Sequence, residues 1–276
     1  MMYILVILRR IIIFFILTLL TQIGGVVYLL NIFLYKYYSK ASSCFKQFTF
    51  KLLGFVTLYF LISIFIVPHA AKQFGRVSLP IFAGDHIKPL NIITCLLNRH
   101  YVNATLKASL NDVAKQINMQ YPNTVINYLD ANFPFMDGFP LFPHLSHNDG
   151  KKLDISFHYL DAGTKQSTND CPSFFGYGIC EEPTGREENT SGICAGSGYW
   201  QYSFIRSITP QGNKHNFIFD GKKTKFTVNA FCENAKISKV FIEPHLKKRL
   251  KLMDNKVRFH GCQAVRHDDH IHVEVN

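Results

Sequence analysis

The chain has 276 residues, 47% of them hydrophobic, and a formal net charge of +11 at pH 7. Six basic residues and no acid precede residue 70, which leaves 24 basic against 19 acidic side chains, a net of +5, for the rest. That excess is scattered, with no basic run longer than Lys247-Lys248-Arg249, and it excludes the basic stripe of a nucleic-acid-binding surface. An anionic wall polymer or membrane surface remains compatible with it.

Residues 1–70 read as a membrane anchor with two transmembrane helices. Residues 11–35 are almost unbroken apolar sequence and exceed the ~20 residues needed to cross a bilayer. The length of that run, and the absence of a small-residue cleavage site after it, argue against a cleaved signal peptide. A second helix is expected at about 50–68, ending at Pro68, with Lys51 snorkelling from its start. Between them lie Lys36, Lys40, Lys46 and Lys51 without an acid, so the positive-inside rule puts that loop in the cytoplasm and everything after Pro68 outside. Arg9 and Arg10, at the start of the first helix, argue the other way.

Residues 71–120 read as a linker and helical lead-in. Leu106, Leu110, Val113, Ala114 and Ile117 have helical spacing over 104–119, stopped by Pro122. Residues 124–129 read as a strand. Pro134, Gly138, Pro140 and Pro143 mark an irregular approach loop, and Asn148-Asp149-Gly150 is a turn signal. Residues 153–160 then alternate, with Leu153, Ile155, Phe157 and Tyr159 on one face and Asp154, Ser156 and His158 on the other. A long insertion follows at about 164–198, rich in Gly, Ser, Asn and Thr and carrying three cysteines. Six of the seven cysteines fall after Pro68, an even number that allows up to three disulfides in an oxidising compartment. A helix is expected at 222–236, a strand at 238–242 and a short basic helix at 245–253. Strands and helices out of strict alternation suggest an α+β domain over 121–276.

The chain ends in His267-Asp268-Asp269-His270-Ile271-His272-Val273-Glu274-Val275-Asn276. In a strand, His270 and His272 share one face with Glu274, and Ile271, Val273 and Val275 share the other. Imidazole is the commonest zinc ligand, but catalytic zinc usually takes three protein ligands plus a water. A partner block stands upstream at His144-Leu145-Ser146-His147 and Asp154. On a helix, His147 and Asp154 would be ~10 Å apart, too far to share one ion. A turn followed by a strand lets His147 fold back beside Asp154. Two adjacent strands would then present Asp154, His270 and His272 toward one point. For Asp154 alone, a solvated strand carboxylate is the plainer reading, and for the histidines alone, surface loops. Only the combination carries a site.

Ser146-His147-x-x-Gly150-x-x-x-Asp154 followed by His270-x-His272 resembles the LAS group of zinc peptidases, the group of lysostaphin, D-Ala-D-Ala metallopeptidases and the hedgehog domain. His144-Leu145-Ser146-His147 with His267-Asp268-Asp269-His270-Ile271-His272-Val273 is most similar to the penicillin-insensitive murein endopeptidases, and residues 240–250 resemble the strand and helix before that family's last motif. The likeness covers roughly residues 120–276. It implies a small antiparallel-sheet domain of LAS/hedgehog type with Zn2+ held by His147, Asp154 and His272. His270 and His267 then act as catalytic groups beside a zinc-bound water, and His144 matches a further active-site histidine. In the carboxypeptidase branch a glutamate base stands where this chain has His267, which favours the endopeptidase branch. The implied substrate is the peptide cross-links of bacterial peptidoglycan, with the domain in the periplasm or extracytoplasmic space on the cytoplasmic membrane. A non-catalytic zinc or wall-binding domain, or a peptidase acting on an extracytoplasmic protein, are the rival readings. Glu243-Pro244 in place of the family's Asn-Pro, the insertion and the double membrane anchor depart from the pattern.

Overall fold

The computed structural model describes residues 2–38, 43–82, 84 and 86–276. The apolar N-terminal region does not form the single helix expected over 11–35. It forms Met2–Thr21 and Gly24–Tyr38, and the chain reverses between them at Gln22, whose φ is 65°. The reversal is written in small polar residues. Thr18 and Thr21 hydroxyls donate back to Phe14 O and Leu17 O, each at 2.8 Å, and Gly24 N donates to Thr21 Oγ1 at 2.8 Å. Gly25 sits so close to the first helix that a Cβ there would lie 2.7 Å from Phe14 O.

The third helix, Cys44–Leu61, continues through a π-turn at Ile62–Ile66 into Val67–Gln73. It runs antiparallel to the second, as Asn31 Nδ2 donates to Lys51 O at 2.9 Å and Lys51 Nζ lies 4.6 Å from the Tyr35 ring centre. The three helices therefore run up, down and up. The N-terminal half of the first, with Arg9 and Arg10, points to the same end as Lys36 and Lys46, which corrects the conflict expected from the charges. Lys40 lies outside the described residues. Among the described residues, Tyr3–Thr21 and Cys44–Gln73 are long and apolar enough to cross a membrane.

At the other end the helices meet the rest of the chain. Gln22 Nε2 donates to Phe135 O at 3.1 Å and Phe135 N donates to Gln22 Oε1 at 2.8 Å. Ile23, Val27, Val67, Ala71 and Tyr101 bury a small apolar cluster around that junction.

The remainder is mixed α+β around a six-stranded sheet. Its order is Val257–Arg258, Ile237–Phe241, His270–Val275, Lys152–Ser156, Ile126–Tyr128 and Ile87–Pro89. The inner four strands are antiparallel to one another and each edge strand pairs in parallel. One face carries Leu153, Ile155, Val240, Ile271 and Val273, all fully buried in the main core. Helices Ala104–Gln120 and Gly221–Glu233 add to that core, which takes in all five of the residues spaced for a helix, Leu106 to Ile117. Asn103 caps the first helix by accepting from Leu106 N at 2.7 Å.

Three expectations change. The stretch read as a linker supplies the edge strand Ile87–Pro89 and puts Leu79, Ile87 and Val102 into the core. The strand expected over 153–160 ends at Ser156, and the chain resumes as Tyr159–Asp161 in a separate three-stranded sheet. Phe157 and Tyr159 pack edge-on against Phe219, so His158 leaves the polar face and buries against Thr227 Oγ1 at 2.9 Å. Finally, the expectation of up to three disulfides narrows to one among the described residues, Cys194–Cys262. Cys95 lies 3.2 Å from Tyr128 Oη instead of another thiol, and Cys171, Cys180 and Cys232 are free.

Replacing Gly25 by Leu should cost about 1–3 kcal/mol through overpacking of the helical hairpin. Gly196→Ala, with open space around its Cβ, is the neutral control. Thermal unfolding of the detergent-solubilised chain reads both.

Candidate metal centre

The site grows from one strand pairing. In the sheet His272 stands directly opposite Asp154 on one side and Phe241 on the other. Alternation sends Ile271 and Val273 into the core and His270, His272 and Asp154 to the opposite face. His147 reaches that face from the loop before the strand. Asn132 pins the turn: its Oδ1 accepts from Gly150 N at 3.0 Å and its Nδ2 donates to Lys152 O at 2.8 Å. Gly150, at φ 77°, takes the left-handed conformation the turn requires.

Three donor atoms converge there. Asp154 Oδ1 lies 2.8 Å from His272 Nδ1 and 3.2 Å from His147 Nε2, and the two nitrogens are 3.1 Å apart. A tetrahedral ion with bonds of ~2.0–2.1 Å separates its ligands by roughly 3.3 Å, so the triangle has the right size. The outer ring nitrogens are engaged. His147 Nδ1 donates to Ala131 O at 2.7 Å, and His272 Nε2 faces Glu274 Oε1 at 3.4 Å. With those nitrogens protonated, two lone pairs and a carboxylate oxygen point at one another, an arrangement a cation relieves. His147, Asp154 and His272, all buried, could hold a metal ion.

The other sequence-predicted residues surround this triangle. His270 Nδ1 lies 2.5 Å from Asp269 Oδ1, and its Nε2 is 3.5 Å from Asp154 Oδ1 with no hydrogen-bond partner. Burial alone would depress its pKa, but the Asp154 and Asp269 carboxylates override that and push it up to about 10. His267 packs 4.9 Å from the His270 ring and 5.5 Å from the His272 ring, and its Nδ1 is unpartnered. Burial, then the imidazoles of His270, His272 and His260, hold His267 well below the usual histidine range. His144 Nδ1 lies 3.1 Å from Asp130 Oδ2 and 3.6 Å from Asp154 Oδ2. Burial would raise the Asp154 pKa, but His147, His270 and His144 hold it well below the carboxylate range.

Sequence reasoning missed four contributors. Tyr177 Oη donates to Asp154 Oδ2 at 2.8 Å, and its ring lies 4.4 Å from His144 and 5.0 Å from His270. Its signal was Gly176-Tyr177-Gly178, two left-handed glycines, at φ 84° and 80°, flanking an aromatic residue. Asp130 anchors His144 and pairs with Arg99 at 3.3 Å. His260 stacks on Phe241 at 4.2 Å and lies 5.7 Å from His272. Two residues on, the Cys194–Cys262 bond ties its loop to helix Thr190–Gly196. Glu243, noted only as a departure, is buried, and its Oε1 accepts from Tyr202 Oη at 2.6 Å and from His267 N at 3.0 Å. It thus sets the backbone that carries His267.

No protein-family model matches the chain, and no curated protein matches it by sequence.

Burial first, and then the Asp268 carboxylate, push Glu243 up to about 7. A carboxyl raised above its ordinary value stabilises the fold below about pH 4.5, and that contribution is lost as pH rises through about 7. Wild type should therefore lose on the order of 3 kcal/mol relative to Glu243→Gln between pH 4.5 and 8, read as the difference in urea midpoints.

Proposed function

We propose that this chain is a membrane-anchored zinc endopeptidase that hydrolyses peptide cross-links of bacterial peptidoglycan. The observation that carries the reading is the convergence of His147 Nε2, Asp154 Oδ1 and His272 Nδ1 beside the uncommitted Nε2 of His270. Zn2+ bound by two imidazoles and one carboxylate would polarise a carbonyl and acidify a water there.

The chain's own residues supply the rest. Asp269 holds the His270 ring through Nδ1 and, with Asp154, favours its imidazolium, so Nε2 can give a proton to a leaving amine. With a cation on Asp154, the charge that raises His270 would be offset, and Nε2 could take a proton in turn. His267, kept neutral, has an unpaired Nδ1 that as N–H would donate to charge developing on the carbonyl oxygen. Tyr177 engages Asp154 Oδ2 and leaves Oδ1 to the metal. His144, fixed by Asp130, closes the same wall.

The anchor supports an extracytoplasmic or periplasmic domain on the cytoplasmic membrane. Lys36 and Lys46 lie toward the end of the helices away from the sheet, and Arg9 and Arg10 lie in the half of the first helix nearer that end, which the positive-inside rule assigns to the cytoplasm. A disulfide on the other side agrees with an oxidising compartment.

One observation favours a non-catalytic zinc domain instead: His147, Asp154 and His272 are each no more than 1% exposed. A single experiment separates the two readings. The full chain should bind one zinc per molecule, and His272→Ala should lose it. His270→Ala should retain zinc yet slow release of cross-link peptides from purified peptidoglycan by about 10²–10⁴-fold. Zinc-loaded wild type that leaves the cross-links intact defeats the peptidase reading and supports the non-catalytic one.

A further inference from the structure

Beside the metal centre lies a cleft of about 930 Å³ that the proposed chemistry does not use. That volume is in the range of sites for small ligands, ~300–1,000 Å³. Its walls are apolar along Ile93, Leu97, Phe174, Phe175, Ile205 and Ile208. Phe174, Phe175 and Ile208 are 69%, 54% and 61% exposed, a cost in water that invites an apolar occupant. Polar groups gather where Arg99, Asp130 and Tyr177 line it. Tyr177 and Asp130 are the same residues that hold Asp154 and His144, so this part of the cleft is one side chain from the metal ligands.

The rest of the cleft is built against the anchor. Ile93 and Leu97 come from helix Ile92–Leu96 and its C-cap. Tyr59 Oη donates to Leu96 O at 2.7 Å, and Asn98 Nδ2 donates to Tyr59 Oη at 2.8 Å and to Ser63 Oγ at 3.4 Å. Tyr59 and Ser63 belong to the apolar stretch of Cys44–Gln73 that is long enough to cross a membrane. Ile92 and Leu96 are exposed on this helix, as are Ile64, Phe65 and Ile66 on the neighbouring one. The helix that supplies part of the apolar wall is therefore docked on the membrane-length segment, which under the membrane reading brings the cleft within reach of lipid.

We propose that the cleft seats the hydrocarbon chain of a membrane amphiphile, with its polar head toward Arg99, Asp130 and Tyr177. The substrate of the metal centre is then lipid-attached and is presented from the bilayer. The proposal rests on the membrane reading of the N-terminal helices and, for the word substrate, on the peptidase reading. Seating of the chain itself needs no catalysis.

The test uses the full chain in nanodiscs of phosphatidylcholine doped with a phospholipid carrying a diazirine on its acyl chain. After irradiation, adducts are mapped by mass spectrometry. Adducts on residues 205–217, the wall remote from the anchor, together with adducts on the membrane helices, support the proposal. Ile208→Arg puts a charge on an exposed wall residue without disturbing the core, and Thr94→Trp fills the cleft. Each should lower labelling of 205–217 about tenfold, the effect of displacing roughly two methylenes from apolar contact. Labelling confined to residues 2–73, or labelling of 205–217 unchanged in both variants, overturns it. His272→Ala should label like wild type, so a failure of the peptidase reading leaves this result standing. Absence of label everywhere overturns the membrane reading and the proposal with it.

Discussion

The register between the C-terminal strand and Lys152–Ser156 is the constraint on which the site depends. With His272 opposite Asp154, Ile271 falls opposite Ile155 and Val273 opposite Leu153. The same register that closes the core therefore stacks the donors that could hold a metal ion. A slip of one residue would send both histidines into the apolar layer and Ile271 and Val273 out of it, a loss no local rearrangement offsets. The pairing that closes the core is also the one that assembles the candidate site.

Collecting so many imidazoles and carboxylates away from water is unfavourable unless each finds a partner. Here each side chain has its own partner, some nearby in the chain and some from segments far away. Asp130 answers His144, Ala131 O answers His147, Tyr177 answers Asp154, Asp269 answers His270 and Glu274 answers His272. This explains why the insertion cannot be a passive loop. It delivers Tyr177, whose approach requires glycine at 176, since a Cβ there would lie 2.7 Å from Leu129 Cδ1. It also carries Cys194, which fastens the His260 loop on the far side. Among the ring nitrogens left without a partner are His267 Nδ1 and His270 Nε2, in the two histidines proposed for charge stabilisation and proton transfer, and His260 Nδ1 beside them.

The anchor and the sheet are not independent modules. Gln22, at the reversal of the helical hairpin, pairs with the backbone of Phe135 in the approach loop that leads to His144 and His147. Tyr59 and Ser63 hold the wall of the cleft. The loop that carries His144 and His147 is thus tied directly to the apolar helices.

Much of this was legible in the sequence because it rests on short periods. The two-residue alternation of 270–275 and of 153–160, which holds as far as Ser156, and the helical spacing of Leu106 to Ile117 each declare a buried face without reference to any other segment. Asn148-Asp149-Gly150 declared its turn the same way. These local patterns place His147, Asp154, His270 and His272 on common ground. What the tertiary structure alone decided lies in contacts between segments far apart. The reversal at Gln22 is hidden inside an apolar run whose composition suits one long helix. It forms because Thr18, Thr21, Gly24 and Gly25 let two backbones touch and Phe135 receives the exposed amide. The end of the strand at Ser156 follows from Phe157 and Tyr159 packing on Phe219, some sixty residues away. Tyr177, Asp130, His260 and Glu243 enter the site for the same reason. Alternation fixes which way a side chain points, but only packing of the whole chain fixes what it meets.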